Sequence, residues 1–119
     1  MLFRSWDVVG PRVLTAGLHV NGPNGYVSGG LGAGLAGAAR AEVAVELQRR
    51  DDIEGRLEAH IARGVDVIKI ATTFGDMGFE DAKPDLPEGW VREIVRVAHR
   101  HGLQVTAHSY GTEIGRAHV

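Results

Sequence analysis

The sequence predicts an α/β protein built on parallel strands, and three observations predict it. Short runs rich in Val, Ile and Thr recur at "RVLTA" (12–16), "VDVIKIA" (65–71) and "LQVTAHS" (103–109), each of strand length. Amphipathic helical patterns lie before the second run and between the second and third. The runs are close to continuously apolar instead of alternating, which is the pattern of strands covered on both faces, as in a parallel sheet. Strand and helix therefore alternate in the βαβ manner, with right-handed crossovers.

Taken in order, "RVLTA" is the first strand. Residues 17–37, "GLHVNGPNGYVSGGLGAGLAG", are expected to form a long loop, because the stretch is glycine-rich and lacks a consistent period; so long a loop is usually functional or disordered. "AEVAVELQRR" (41–50) stays open between strand and helix, since Val43, Val45 and Leu47 alternate while the segment also runs straight into a helical pattern. That pattern, "DDIEGRLEAHIARG" (51–64), sets Ile53, Leu57 and Ile61 four apart on one face. Acids in its first turn favour the helix N-terminus, and Gly64 ends it. The strand 65–71 follows, then a second long loop. Pro87 and Glu88 open the last helix, where Val91, Ile94, Val95 and Ala98 repeat at helical spacing. "HRHG" closes it, with polar or cationic residues in the last turn and Gly102 as the stop. The third strand completes the pattern.

The 119 residues contain no cysteine, which excludes a disulfide scaffold and a thiolate metal site. A net charge of −2 with scattered basic residues gives no footprint for nucleic acid or an anionic membrane surface. No apolar run reaches the roughly 20 residues of a membrane helix, and the first residues lack the long apolar centre of a secretory signal; a cytoplasmic setting is the default expectation. The two ends read differently from the rest. "EIGRAHV" at the C-terminus is one frame of a common sequencing adapter, and "MLFRS" reads as its opposite strand. The expectation is that residues 6–112 are genuine, that 1–5 and 113–119 are adapter-derived, and that residues 1–119 form a single incomplete segment of a longer protein.

The chemistry centres on Lys69, one of only two lysines, placed between Ile68 and Ile70. Burial disfavours an ammonium, so a lysine sealed in such a strand tends to become a neutral amine, a nucleophile or a modified group. Such an amine either attacks a carbonyl to form a Schiff base or takes up carbon dioxide to become an anionic metal ligand. The plain alternative is a lysine that snorkels to the rim or pairs with Asp66 or Asp76. His108 ends the third strand, and a strand histidine is either a hydrogen-bonded core residue or a ligand. In parallel α/β folds ligands sit at the carboxyl ends of the strands, so Lys69 and His108 are expected to face one mouth. A histidine with an anionic oxygen donor suits zinc.

"GPRVLTAG", "ARGVDVIKI" and "AHRHGLQVTAHSYG", in this order and spacing, resemble the middle of a metal-dependent amidohydrolase of the imidazolonepropionase-like and Xaa-Pro dipeptidase-like type. The resemblance covers nearly the whole chain between the two ends. It implies a partial (β/α)8 TIM barrel, about strands 3 to 5 with the intervening helices, with "RVLTA" as the third strand. It also implies two zinc ions bridged by a carboxylated lysine at the end of the fourth strand, matched by Lys69, and bound by a histidine at the end of the fifth, matched by His108. Tyr110 matches a tyrosine that helps hold the substrate carboxylate. The family's His-x-His pair, its later histidine and its general-base aspartate have no counterpart in this chain. The implied parent is a hydrolase of amide, Xaa-Pro peptide, lactam or ester bonds, a homo-oligomer acting on a small or dipeptide-like substrate without nucleic acid or membrane. The isolated chain is expected to be inactive.

Two further readings compete. "VDVIKIATTFG" also looks like the lysine strand of deoxyribose-phosphate-type aldolases, which makes Lys69 a Schiff-base nucleophile, and a non-catalytic barrel segment needs no chemistry at all. The first glycine-rich loop carries "GGLGAG" where the amidohydrolase pattern often has "GGHG", so His19 is expected to be a solvated loop residue. His99 and His101 are expected to meet the free carbonyls of their helix. "RRDD" (49–52) and the charges of 54–63 are read as a solvated helix face. Asp76, Glu80, Asp81 and Asp85 are read as loop acids, solvated or in contact with substrate, and Phe74 and Phe79 as loop anchors or pocket lining.

Overall fold

A computed structural model describes residues 9–74 and 83–109. In chain order these form β1 (His19–Asn21), a π-helical turn (Tyr26–Leu31), α1 (Gly37–Ala41), β2 (Ala44–Glu46), a 3-10 turn (Arg50–Asp52), α2 (Ile53–Ala62), β3 (Val67–Ala71), β4 (Thr73–Phe74), β5 (Lys83–Pro84), α3 (Glu88–Arg100) and β6 (Gln104–His108). The fold is α/β, with an all-parallel sheet of four strands in the order β2-β1-β3-β6; β4 and β5 form a separate short antiparallel pair.

Both long helices pack on one face of this sheet. The strands contribute Val20, Ile68 and Ile70, α2 contributes Ile53 and Leu57, and α3 contributes Val91, Ile94, Val97 and Ala98, with Leu47 and Leu86 filling between them. Side chains alternate across a strand, so Val20, the one apolar residue of β1, and Ile68 and Ile70, two apart in β3, bury a single face. The ends of α3 show why it stops where it does. Gly102 adopts φ +72°, and the Leu103 and Gly102 amides donate to the Ala98 and His99 carbonyls, each at 2.9 Å. This is a Schellman closure, which needs the left-handed residue that glycine supplies.

Two expectations are corrected and one open reading is settled. "RVLTA" is not a strand: Val13 and Leu14 are 68% and 62% exposed, and the first strand begins at His19, inside the segment expected to be loop. The cause is Gly17, at φ +63°, which kinks the chain between the two stretches. Residues before the kink still run beside the start of β3, where Asp66 N–H donates to the Thr15 carbonyl (2.8 Å) and Thr15 N–H to the Asp66 carboxylate (3.0 Å). The loop 17–37 also contains the π-helical turn and the start of α1. The segment 41–50, left open between strand and helix, contains the strand β2 at Ala44–Glu46, between the end of α1 and the start of the 3-10 turn. β2 pairs with the far side of β1, so the order of strands in the sheet departs from their order in the chain. The second correction is that only one face of the sheet is covered by helices among the described residues, so Lys69 is half-buried rather than sealed. Among the described residues no helix is long and apolar enough to cross a membrane.

Candidate functional site

The face of the sheet opposite the helices is polar. Val20 stands opposite Ile70, so one step back on each strand His19 is level with Lys69. With Val20, Ile68 and Ile70 directed into the core, alternation turns His19, Asn21, Lys69 and Ala71 to the other face. On β6, Val105 and Ala107 pack against the core, which leaves Thr106 and His108 beside Lys69 and Ala71, their register partners. Lys69 and His108 are diagonal neighbours, with Cα atoms about 8 Å apart.

The electrostatics agree with this grouping. The imidazole of His108 is held below its ordinary value by burial first and then by the positive charge of Lys69. His19 is lowered by burial, by Lys69 and by His108, in that order. Both shifts favour the neutral ring, the form that offers a lone pair. The Nδ1 of His19 is buried and has no hydrogen-bond partner among the described residues. Asn21, by contrast, is fully engaged: its side-chain oxygen accepts the Val27 and Ser28 N–H groups (both 3.2 Å), and its amide donates to Gly22 O (2.8 Å) and Ser28 Oγ (2.9 Å). It shapes the turn after β1 and leaves His19 as the adaptable polar group on that strand.

Tyr26, at the start of the π-helical turn, stacks on His108 with ring centroids 4.2 Å apart and 30° between planes; its centroid lies 6.5 Å from that of His19. The loop that carries Tyr26 is tied down by Asp85. One carboxylate oxygen of Asp85 accepts Gly22 N–H and the other Tyr26 N–H, both at 2.7 Å. The Asp85 amide donates to Thr72 O (2.8 Å), and Thr72 donates through its amide (3.0 Å) and hydroxyl (2.9 Å) to the His108 carbonyl. The carboxyl ends of β1, β3 and β6 are thus cross-braced. Gly22 and Gly25 permit the close approach, since a Cβ on either would sit 2.2 Å from the Asp85 carbonyl oxygen or 2.1 Å from Oδ1. Burial raises the Asp85 carboxyl, the Tyr26 and Gly22 amides oppose that rise, and Glu46 adds to it.

Lys69 and His108 accordingly share one face near the strand ends. Tyr110 lies outside the described residues, as do Asp76, Phe79, Glu80 and Asp81. His19 is a strand residue on the same polar face, not a solvated loop histidine. Asp85 is a half-buried brace held by two main-chain amides, not a wet loop acid. His101 reaches Glu58 (3.4 Å) across to α2. Among the described residues no three His, Asp or Glu side chains gather closely enough to hold a metal ion. Sequence reasoning alone does not single out Tyr26, and it assigns His19 and Asp85 to loops. The polar–apolar–polar order of His19, Val20 and Asn21 carried the signal for His19.

No protein-family model matches the sequence, and no curated protein matches it significantly. Among solved structures, the chain is similar to an uncharacterized protein (25% identity, TM-score 0.68) and to the ochratoxinase of A. niger (22% identity, TM-score 0.74). Each match covers 92% of this chain, but only 28% and 29% of those two proteins. The chain spans less than a third of their length, and the likeness establishes a shared fold.

Proposed function

We propose that this chain is a segment of a metal-dependent hydrolase barrel in which Lys69, as its carbamate, and His108 are metal ligands. The observation that carries the reading is the placement of Lys69 and His108 on one helix-free face, near the carboxyl ends of adjacent parallel strands. The fold shared with ochratoxinase and the ordered resemblance to amidohydrolases support it. In the carbamate reaction the neutral amine of Lys69 attacks carbon dioxide, a C–N bond forms, and the amine proton leaves to solvent. An uncharged donor thereby becomes an anionic oxygen donor, while neutral His108 offers a ring nitrogen.

Zinc suits this donor set but takes about four ligands, so two side chains are too few. His19, level with Lys69 and with Nδ1 unpartnered among the described residues, fits the edge of such a site; the remaining ligands and a general-base aspartate are expected outside this segment. When bound, paired zinc ions would polarise the scissile carbonyl of an amide, peptide, lactam or ester and lower the pKa of an attacking water. The work of this segment is to fix the two ligand side chains and the strand ends that carry them.

Zinc content and hydrolysis measured on the full-length protein test the reading. Lys69→Ala is expected to lose bound zinc and activity together, with partial recovery of both on adding short-chain carboxylic acids, which replace the carbamate oxygens. Borohydride trapping of a carbonyl substrate on Lys69, with activity that survives chelation, would instead establish the aldolase reading.

A further inference from the structure

We propose that Asp85 is a positioning residue for His108, acting through Tyr26. Nothing in the proposed chemistry requires a carboxylate at position 85, yet this one is half-buried and is held by two main-chain amides of another loop, at 2.7 Å each. It therefore acts on the loop that holds it. Both of its oxygens accept, one from Gly22 and one from Tyr26, and the second bond fixes the backbone of the residue whose ring lies 4.2 Å from the His108 imidazole. A ring covered on one face at that distance can present only its edge to a ligand. The same aspartate reaches His108 from the other side, through Thr72 and the His108 carbonyl. Backbone and ring of His108 are thus both referred to one residue, the backbone through the Asp85 main-chain amide and the ring through its carboxylate.

The residue type follows from the geometry. Two amide donors converge on two oxygens, which aspartate satisfies; asparagine would set its own NH2 against one of the donors. Glycine at 22 and 25 is required for the approach, since a Cβ at 25 would lie 2.1 Å from Oδ1 of Asp85. An apolar loop anchor would need neither feature.

The positional claim stands without a metal; its consequence for metal binding rests on the reading given above, so the two are tested separately. In isotope-labelled full chain at pH 7.5, the ring protons of His108 are expected upfield of the other histidines because of the Tyr26 ring current. Tyr26→Leu should abolish that displacement, and Tyr26→Phe should retain it. Asp85→Asn should lose it while the methyl resonances of Ile94 and Val97, in the core beneath the opposite face, stay in place; Gly25→Ala, which forces the carboxylate away, should do the same. A displacement unchanged in Asp85→Asn, or absent from the start, overturns the proposal. Collapse of the core methyl signals in Asp85→Asn also overturns it, because it would assign Asp85 to the fold at large. On the metal reading, Asp85→Asn in the full-length protein weakens zinc affinity about 10- to 100-fold. Unchanged zinc affinity together with a lost displacement would remove the metal reading and leave the positioning intact.

Discussion

Mild acidification, from pH 7.5 to 5.5, is expected to destabilise the fold through His60. This residue sits on the inner side of α2 with 3% of its surface exposed. Its Nε2 is 2.9 Å from the Ala16 carbonyl, to which it donates, and its Nδ1 is buried without a hydrogen-bond partner among the described residues. Burial pushes its pKa below the usual 6.5, the Ala16 carbonyl pulls it partly back, and Arg63 lowers it again. Between the folded value and 6.5 the unfolded chain therefore binds more protons than the folded one. Stability rises with pH in that window, is complete above 6.5, and is lost as pH falls through the folded value. One proton limits the slope to about 1.4 kcal/mol per pH unit, so the interval from 6.5 to 5.5 sets a ceiling of about 1.4 kcal/mol for His60. For a chain of this size that corresponds to about 5 °C in Tm. Urea unfolding at pH 7.5, 6.5 and 5.5 measures it, with His60→Gln as reference, because glutamine still donates to Ala16 but does not titrate. His19 and His108 act in the same direction and remain in both proteins, so the difference isolates His60. The lowered carboxyls of Glu46, Glu58 and Glu93 lose their contribution only on further acidification, below about 4.5. Asp85 has the opposite sign and also cancels in the comparison. Curves that stay parallel for the two proteins across this range would refute the reasoning.

Two further outcomes follow from the packing. Ile94→Ala, at a fully buried position of α3, is expected to cost about 2–5 kcal/mol, read as a lower urea midpoint with an unchanged slope. Gly17→Ala is expected to destabilise by at least about 1 kcal/mol, because φ is +63° and a left-handed conformation is strained for alanine. Its Cβ would also lie 2.9 Å from side-chain atoms of His60 and Val65; a Tm equal to that of the parent chain would contradict the close approach at the kink.

The helices were legible because each carries its own punctuation. Ile53 and Leu57, spaced four apart, are both fully buried in α2, and the glycines placed as stops, Gly64 and Gly102, both adopt positive φ. The first strand was misplaced for a physical reason. "RVLTA" has strand composition, but its Val13 and Leu14 bury little among the described residues, whereas three residues farther on, His19–Asn21, pair on both sides through Val20. Pairing partners are non-local, and a three-residue strand with one apolar position offers little local pattern. The long glycine-rich segment hid structure for a related reason: at Gly22 and Gly25 the glycines mark contact with Asp85, some sixty residues away in sequence, and not freedom of the chain.

The site shows where reading along a sequence departs from reading across a sheet. "VIKIA" looks uniformly apolar with one lysine embedded in it, which suggests a sealed charge. Across the sheet, Ile68 and Ile70 belong to the helix-covered side, while Lys69 shares its face with His19, Thr106 and His108, so its neighbours in space are polar. A lysine among isoleucines must lose its charge or escape; a lysine beside two imidazoles whose protonation burial disfavours has partners for chemistry. The apolar residues in the strand thus specify the opposite face, and what makes position 69 special is the composition of the two adjoining strands. Any account of its reactivity must therefore include His19, which no motif selected and which the register places level with the lysine.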